Sequence, residues 1–289
     1  MFRVRSYGMT DVGLLRSHNE DCLDLNDSNQ VYVVADGMGG HNHGEVASRI
    51  AVQSIHEFMG QIDGNASQEP WDEGLQPHSS RLKKSIQIAH DQVLSAIRED
   101  GSLLGMGTTV VGAMVRAETV AVAHVGDSRA YRLRGGHLEL LTQDHTWVNE
   151  QVVAGYLTED QAKTHPLKNV VTRALGGDND VVVDVMEIAV AAGDLFLLCS
   201  DGLTTMLSDQ EIHERLVGGR SLEAICRQLI ADANARGGFD NITVLLFKVE
   251  HADAADVISD DEDTRPDMSS PNFEEDDTLI SHPRPPHRR

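Results

Sequence analysis

Two hydrophobic periods alternate along residues 2–249, and the switches between them mark the elements. Unbroken or alternating apolar runs at 2–9, 22–25, 31–35, 108–115, 119–125, 129–133, 137–141, 181–190, 195–199 and 242–249 predict strands. Helical spacing takes over at Ala47, Ile50, Ala51, Ser54, Ile55, Phe58 and Met59, then at Leu82, Ile86, Ala89, Val93 and Ile97. It returns at Leu222, Ile225, Cys226, Leu229, Ile230 and Ala233. Residues 60–80, with two prolines and a mix of glycine and acids, read as a loop whose Trp71 tucks against a helix. Thr158 with Gln161, and Ser208 with Glu211, have capping-box spacing. Two helices amid strands, then two more helices and a last strand, lack the regular alternation of a parallel βαβ protein. The pattern predicts an α+β fold: a four-layer α-β-β-α sandwich of two mostly antiparallel sheets flanked by helix pairs. After Glu250 the periodicity vanishes, so one folded domain is expected over 1–250 and an acidic disordered tail over 251–289.

Charge narrows the partners. With 46 acids against 24 Lys and Arg the formal net charge is −22, which speaks against nucleic acid and anionic membranes. The segment from His251 on holds eleven acids and four arginines, so the domain keeps about −15 of the total and the acidity is not only a tail effect. Three cysteines, Cys22, Cys199 and Cys226, are odd in number and read as reduced residues of a cytoplasmic protein. The N-terminus has no apolar signal region, and no run approaches the ~18 residues of a spanning helix. A soluble, cytoplasmic monomer is expected.

Acids recur where strands end. Val-Tyr-Val-Val-Ala at 31–35 runs into Asp36-Gly37-Met38-Gly39-Gly40-His41, the 120–126 run into Asp127, and the 195–199 run into Ser200-Asp201-Gly202. Asp240-Asn241 stands just before the last run. Each alone is an ordinary turn, but four carboxylates at strand ends suggest one acidic cluster on one sheet edge. Such a cluster repels itself unless cations sit in it.

The ordered blocks Arg16-x-x-Asn19-Glu20-Asp21, Asp36-Gly37-Met38-Gly39-Gly40-His41, Gly107-Thr108-Thr109, Gly126-Asp127-Ser128-Arg129-Ala130-Tyr131, Leu141-Thr142-x-Asp144-His145, Arg173-Ala174-Leu175-Gly176, Cys199-Ser200-Asp201-Gly202 and Asp240-Asn241-Ile242-Thr243 resemble the metal-dependent protein phosphatases, the protein phosphatase 2C family in its bacterial form. The match runs collinearly over residues 5–249. The resemblance implies hydrolysis of phosphoserine and phosphothreonine in proteins, with two Mn²⁺ or Mg²⁺ ions, a third beside them, and a bridging hydroxide attacking phosphorus in line. Hard oxygen donors suit those ions. Asp36 resembles the bridging aspartate, Gly37 the glycine whose carbonyl joins one ion, Asp201 and Asp240 further ligands, and Asp127 with Asp201 the third-ion site. Glu20 and Asp21 resemble acids that hold metal-bound water. Arg16 resembles the arginine that grips the substrate phosphate with a bidentate fork.

One position departs from many eukaryotic relatives: Met38 stands where they carry a histidine proposed as general acid, a task left open between His41 and metal-bound water. The acidic surroundings of Cys22 disfavour a thiolate, Ser128 lacks a base to activate it, and His18, His124, His137 and His145 read as structural or solvated. Asp144 reads as a loop-stabilising acid. The stretch opened by Thr146 and closed by Thr172 resembles the flap that bacterial members carry beside the metal edge, with Gly155 and Pro166 to let it move. Other readings are a silent phosphoprotein-binding scaffold, which should lack a metal acid or Arg16, and a phosphatase of small metabolites. The family implies a cognate Ser/Thr kinase. In the tail, Thr264, with Asp267 three positions on, and Thr278 follow acidic runs and suit a phosphothreonine-reading adaptor.

Overall fold

The computed structural model describes residues 2–39, 43–60, 72 and 74–251. In chain order the elements are β1 (Phe2–Asp11), β2 (Asp21–Asn26), β3 (Val31–Met38), α1 (Gly44–Gly60), α2 (Pro77–Glu99), β4 (Gly107–Thr108), β5 (Val110–Arg116), β6 (Thr119–Val125), β7 (Arg129–Arg134) and β8 (His137–Leu140). They continue with α3 (Trp147–Val153), α4 (Glu159–Thr164), β9 (Asp184–Ala189), β10 (Leu195–Cys199), α5 (Asp201–Thr204), α6 (Asp209–Leu216), α7 (Leu222–Ala235) and β11 (Ile242–His251). One sheet has the order β1-β11-β10-β7-β8, the other β2-β3-β5-β6-β9, with β4 on β3. All these pairings are antiparallel.

The unbroken apolar runs are strands covered on both faces, and the two-residue period of a strand sorts their side chains. Val31, Val33 and Ala35 pack with Ala51, Ile55, Leu82 and Ile86 of the α1–α2 pair. Their neighbours Tyr32 and Val34 turn instead to Phe196, Leu198, Leu245 and Phe247 of the other sheet. The alternate positions Leu195, Leu197, Val244 and Leu246 meet Ile212, Ile225, Leu229 and Ile230 of α6 and α7. These three apolar layers lie between four layers of structure, as the periodicity predicts. Between the sheets the Tyr32 and Phe247 rings stack at 4.5 Å and Phe247 and Phe196 at 4.7 Å, each pair adding about 1 kcal/mol beyond its buried area.

Local outcomes differ in places. The strand expected at 31–35 continues through Asp36 to Met38, because Gly37 and Met38 pair with Thr108 and Gly107. The expected loop 60–80 ends earlier, since Pro77 opens α2, a position where its missing N–H costs nothing. The strand expected at 181–190 pairs only from Asp184 to Ala189; Val181 and Val183 pack toward α1 and α2 without a strand partner. Both capping boxes form, at Thr158 and Ser208. Among the described residues no helix is long and apolar enough to cross a membrane. Gly40, His41, Trp71 and the segment from 252 on, with Thr264, Asp267 and Thr278, lie outside the described residues.

Candidate metal centre and active site

Antiparallel pairing brings the acids to one edge. Asp36, late in β3, faces Asp21, the first residue of β2. Val110 pairs with Val125, which sets the end of β6, and Asp127 two residues beyond it, beside the same end of β3. In the other sheet Cys199 pairs with both Val244 and Arg129, so Asp201, just after β10, and Asp240, just before β11, emerge at that edge too.

Hydroxyls and amides lock the acids in place. Asp21 Oδ2 accepts from Ser200 Oγ at 2.8 Å and from Thr243 Oγ1 at 2.7 Å, joining the two sheets. Because Thr243 donates its proton there, it accepts from Thr10 Oγ1 at 2.7 Å, which in turn accepts from Asn19 Nδ2 at 2.8 Å. Asn241 ties down the loop that carries Arg16: its Oδ1 accepts from the Glu20 amide, and its Nδ2 donates to the carbonyls of Val12 and His18. The Asp36 carbonyl accepts from the Thr109 amide and the Thr108 hydroxyl, both at 2.9 Å. Gly37 is required by close approach and not by a left-handed turn. A Cβ there would lie 2.2 Å from the Gly44 carbonyl oxygen and 2.6 Å from that of Glu20. Gly126 has φ +107°, and a Cβ on it would meet the Thr109 side chain at 2.5 Å.

The electrostatics ask for cations. Burial, and then the charges of Asp21, Asp201, Asp127 and Asp240, push the Asp36 carboxyl well above the ordinary carboxylate range. Asp21 is pushed up to about 7, by burial first and then by Asp201 and Asp240, against the pull of the Thr243 and Ser200 hydroxyls. Asp127 also rises to about 7, through burial and Asp201. Asp201 is raised by burial and Asp240, although it lies within hydrogen-bonding reach of Asp36. Glu20 is raised by burial, with Glu45 adding to it. Asp21 Oδ1 and Glu45 Oε2 are buried without a hydrogen-bond partner among the described residues. Hard oxygen donors, mutual repulsion and orphaned buried carboxylate oxygens fit divalent ions such as Mn²⁺ or Mg²⁺.

Arg16 joins the cluster. Its Nη2 donates to Asp240 Oδ2 at 2.7 Å, and its Nη1 lies 3.8 Å from Glu20 Oε2. Beside the acids, Arg129 grips Asp144 with a two-pronged bond at 2.9 and 2.7 Å, matching the expected loop-stabilising role of that acid. The stretch 146–172 is rooted at the same edge. The His145 amide donates to the Gly126 carbonyl, Thr172 to the His145 carbonyl, and Leu175 exchanges bonds with Thr108. It carries α3 and α4 and exposes Val153 and Tyr156.

His124, His145 and Asp184 form a second group of convergent donor atoms, within 4.8 Å of one another, at this root. Hydrogen bonding accounts for it. His145 Nδ1 accepts from the Gly126 amide and Nε2 faces Asp184 at 3.2 Å, while Arg173 holds the other Asp184 oxygen. The two imidazoles stack at 4.6 Å, and burial holds both below the ordinary histidine range. Cys22, Cys199 and Cys226 are free thiols, all raised by burial and so poor nucleophiles. Sequence reasoning missed the anchoring roles of Ser200, Asn241 and Thr243, although their motif blocks contain them, and it missed Glu45. The position of Glu45 in the first turn of α1 resembles any helix-start acid.

A sequence model of the protein phosphatase 2C family matches residues 16–234. The serine/threonine phosphatase stp of Listeria welshimeri is 39% identical over 242 residues, covering 83% of this chain and 93% of that protein. The crystal structure of the Mycobacterium tuberculosis serine/threonine phosphatase PstP/Ppp superposes with a TM-score of 0.77 at 32% identity, over 86% of this chain and 99% of that one. The catalytic domain of the serine/threonine phosphatase PstP in complex with two manganese ions gives 0.76 at 31% identity, over 87% and 100%.

Proposed function

Since the chain belongs to the protein phosphatase 2C family and is a serine/threonine protein phosphatase, we propose how its own residues perform the hydrolysis. Asp36, the Gly37 carbonyl, Asp201 and Asp240 would hold two Mn²⁺ or Mg²⁺ ions, and Asp127 with Asp201 a third. Glu20 and Asp21 would act one step out, Asp21 through its unpartnered Oδ1. Bound ions would supply Lewis acidity toward phosphate and water at neutral pH.

The observation that carries this reading is the crowding of acids pushed above their ordinary range, with buried carboxylate oxygens left unpaired. The remaining work falls to the chain. Arg16 stands between Asp240 and Glu20 at the rim of the cluster, and its fork would take the phosphoryl oxygens. Asn241 keeps the Arg16 loop seated, and the Ser200–Asp21–Thr243 bonds keep the two sheets in register at the site. Met38 brings no acid to the leaving hydroxyl.

The same reading gives the chain phosphorylated proteins as substrates, opposite a cognate Ser/Thr kinase. The flap 146–172 selects among those substrates, and the tail beyond Glu250 is dispensable for chemistry, with Thr264 and Thr278 as marks for a phosphothreonine-reading adaptor. Turnover of a phosphothreonine peptide and of p-nitrophenyl phosphate, measured with Mn²⁺ and with EDTA, tests the core of this. The expected result is turnover of both, lost in EDTA; metal-independent turnover, or none, overturns it. Finding no phosphate on Thr264 or Thr278 in an Asp36→Ala protein co-expressed with its kinase would remove the adaptor.

A further inference from the structure

The two segments that carry Arg16 and Asp240 also display apolar side chains, and backbone bonds hold those segments side by side. The Leu14 and Leu15 amides both donate to the Gly238 carbonyl, at 2.8 and 3.3 Å. Two residues further on, Arg16 reaches Asp240 at 2.7 Å. Around these ties Leu14 is 63% exposed, Leu15 69% and Phe239 55%. Scattered exposed leucines are ordinary; three large apolar side chains on two adjoining turns beside a phosphatase site are not.

Backbone conformation enforces the display. Gly13 has φ +77°, and a Cβ there would stand 2.2 Å from the Asp240 carbonyl oxygen, so the Leu14–Leu15 turn lies flush against the 238–240 turn. Gly237 and Gly238 both take positive φ, and the Phe239 ring folds back over Gly237, where a Cβ would meet its edge at 2.5 Å. The turns are thus shaped for close approach to each other, and they leave the side chains of Leu14, Leu15 and Phe239 to solvent.

We propose that Leu14, Leu15 and Phe239 form an apolar ledge that receives the side chain next to the phosphoserine or phosphothreonine of a protein substrate. The enzyme then prefers apolar over acidic residues at that neighbouring position. The proposal rests on the phosphatase reading above, with Arg16 as the phosphate grip. Connectivity names the occupant. Leu15 and Phe239 are covalent neighbours of Arg16 and Asp240, and successive substrate residues advance only about 3.3–3.6 Å each. A phosphoresidue held by Arg16 therefore brings its immediate neighbours over the ledge. Charge agrees with this, because Asp240 and Glu20 border the same segments, and Arg16, the basic side chain seen there, is taken up by the phosphate in this reading.

The test compares kcat/KM for phosphothreonine peptides identical except for Leu, Ala or Asp beside the phosphothreonine, on either side, with Mn²⁺ present. The enzymes are wild type, Leu15→Ser, Phe239→Ser and Leu15→Met, and p-nitrophenyl phosphate, which has no flanking residue, is the reference substrate. Serine is neutral, so it does not compete for Arg16. Wild type should favour the Leu over the Asp peptide by about tenfold on at least one side, as expected for burying part of one side chain. That preference should lie in KM, with kcat little changed. Either serine variant should cut it to about twofold or less, Leu15→Met should keep it, and p-nitrophenyl phosphate turnover should stay within about twofold throughout. An unchanged preference in both serine variants overturns the ledge while leaving the phosphatase reading intact. A wild type that fails to turn over p-nitrophenyl phosphate overturns that reading, and the ledge with it. Gel filtration showing a wild-type dimer that the serine variants dissolve, with peptide preference unmoved, would assign the ledge to a second copy of the chain and refute the proposal.

Discussion

Replacing Asp21 by asparagine should stabilise the metal-free protein and weaken its response to Mn²⁺, two effects of opposite sign from one atom. Asp21 sits buried at the joint between the sheets, with Oδ2 held by two hydroxyls and Oδ1 unpaired. Its carboxyl is pushed from an ordinary value of 3.8 to about 7. The folded, metal-free chain therefore holds a proton through roughly pH 4 to 7 that the unfolded chain has released. Stability then falls as pH rises across that window and is lowest above it. Roughly three pH units at about 1.36 kcal/mol each give a ceiling of about 4 kcal/mol for this one group at pH 7.5. Asparagine keeps the oxygen that the Ser200 and Thr243 hydroxyls need and removes the charge. Its new amide nitrogen stands where Oδ1 had no partner, costing about 1–3 kcal/mol if it finds no acceptor. The net is a gain on the order of 2 kcal/mol, or about 5 °C in melting temperature for a domain of this size. Thermal melts in EDTA at pH 7.5 should show that rise, and melts at pH 5 should show it shrink. In millimolar Mn²⁺ the order should reverse, because the carboxylate that the ions favour is gone. Equal destabilisation by Asp21→Asn in EDTA and in Mn²⁺ would refute the reasoning, leaving Asp21 as a packing residue only.

Asp36→Ala should abolish Mn²⁺-dependent turnover, whereas Asp127→Ala should still bind two ions by calorimetry yet work more slowly; full activity in Asp127→Ala would remove the third ion. Gly37→Ala drives a Cβ to 2.2 Å from the Gly44 carbonyl oxygen, while Gly101 has nothing within 4 Å of such a Cβ. Melting should therefore drop by the equivalent of about 3 kcal/mol or more at Gly37 and hardly move for Gly101→Ala. Tyr156, 78% exposed on the flap, should affect substrate choice, so Tyr156→Ala should lower phosphopeptide kcat/KM several-fold more than that of p-nitrophenyl phosphate. Equal losses on both substrates would return the flap to a packing role.

Much of the fold was legible because burial repeats locally. The 31–35 run reads as a strand covered on both faces, and Tyr32 and Val33 do face opposite layers. The helix-facing stripe of Ile225, Leu229 and Ile230 was equally plain. The strand-end carboxylates Asp36, Asp127, Asp201 and Asp240 were visible as punctuation, and the eight ordered motif blocks around them pointed to the family. Boundaries were less visible: the extension of β3 to Met38 depends on β4, a two-residue strand with no periodicity to detect. The shortening of β9 at its start likewise depends on where its antiparallel partner β6 ends, since Asp184 already pairs with His124 and β6 stops at Val125.

The chain by itself thus determined its layers, its element order and the kinds of atom available at the metal edge, because periodicity and residue chemistry are properties of neighbours in sequence. Tertiary structure decided which of those atoms meet. Asp21 takes its hydrogen bonds from residues 179 and 222 positions away, and strand register alone brings them together. Gly37 owes its identity to the approach of Gly44 and Glu20, not to a turn. Arg16 reaches Asp240 across 224 positions, and the Leu15 and Phe239 turns become neighbours only through the Gly238 carbonyl. Electrostatic repulsion and hydrogen bonding act over a few ångströms of space, and distance along the chain carries no record of that separation until the sheets are paired.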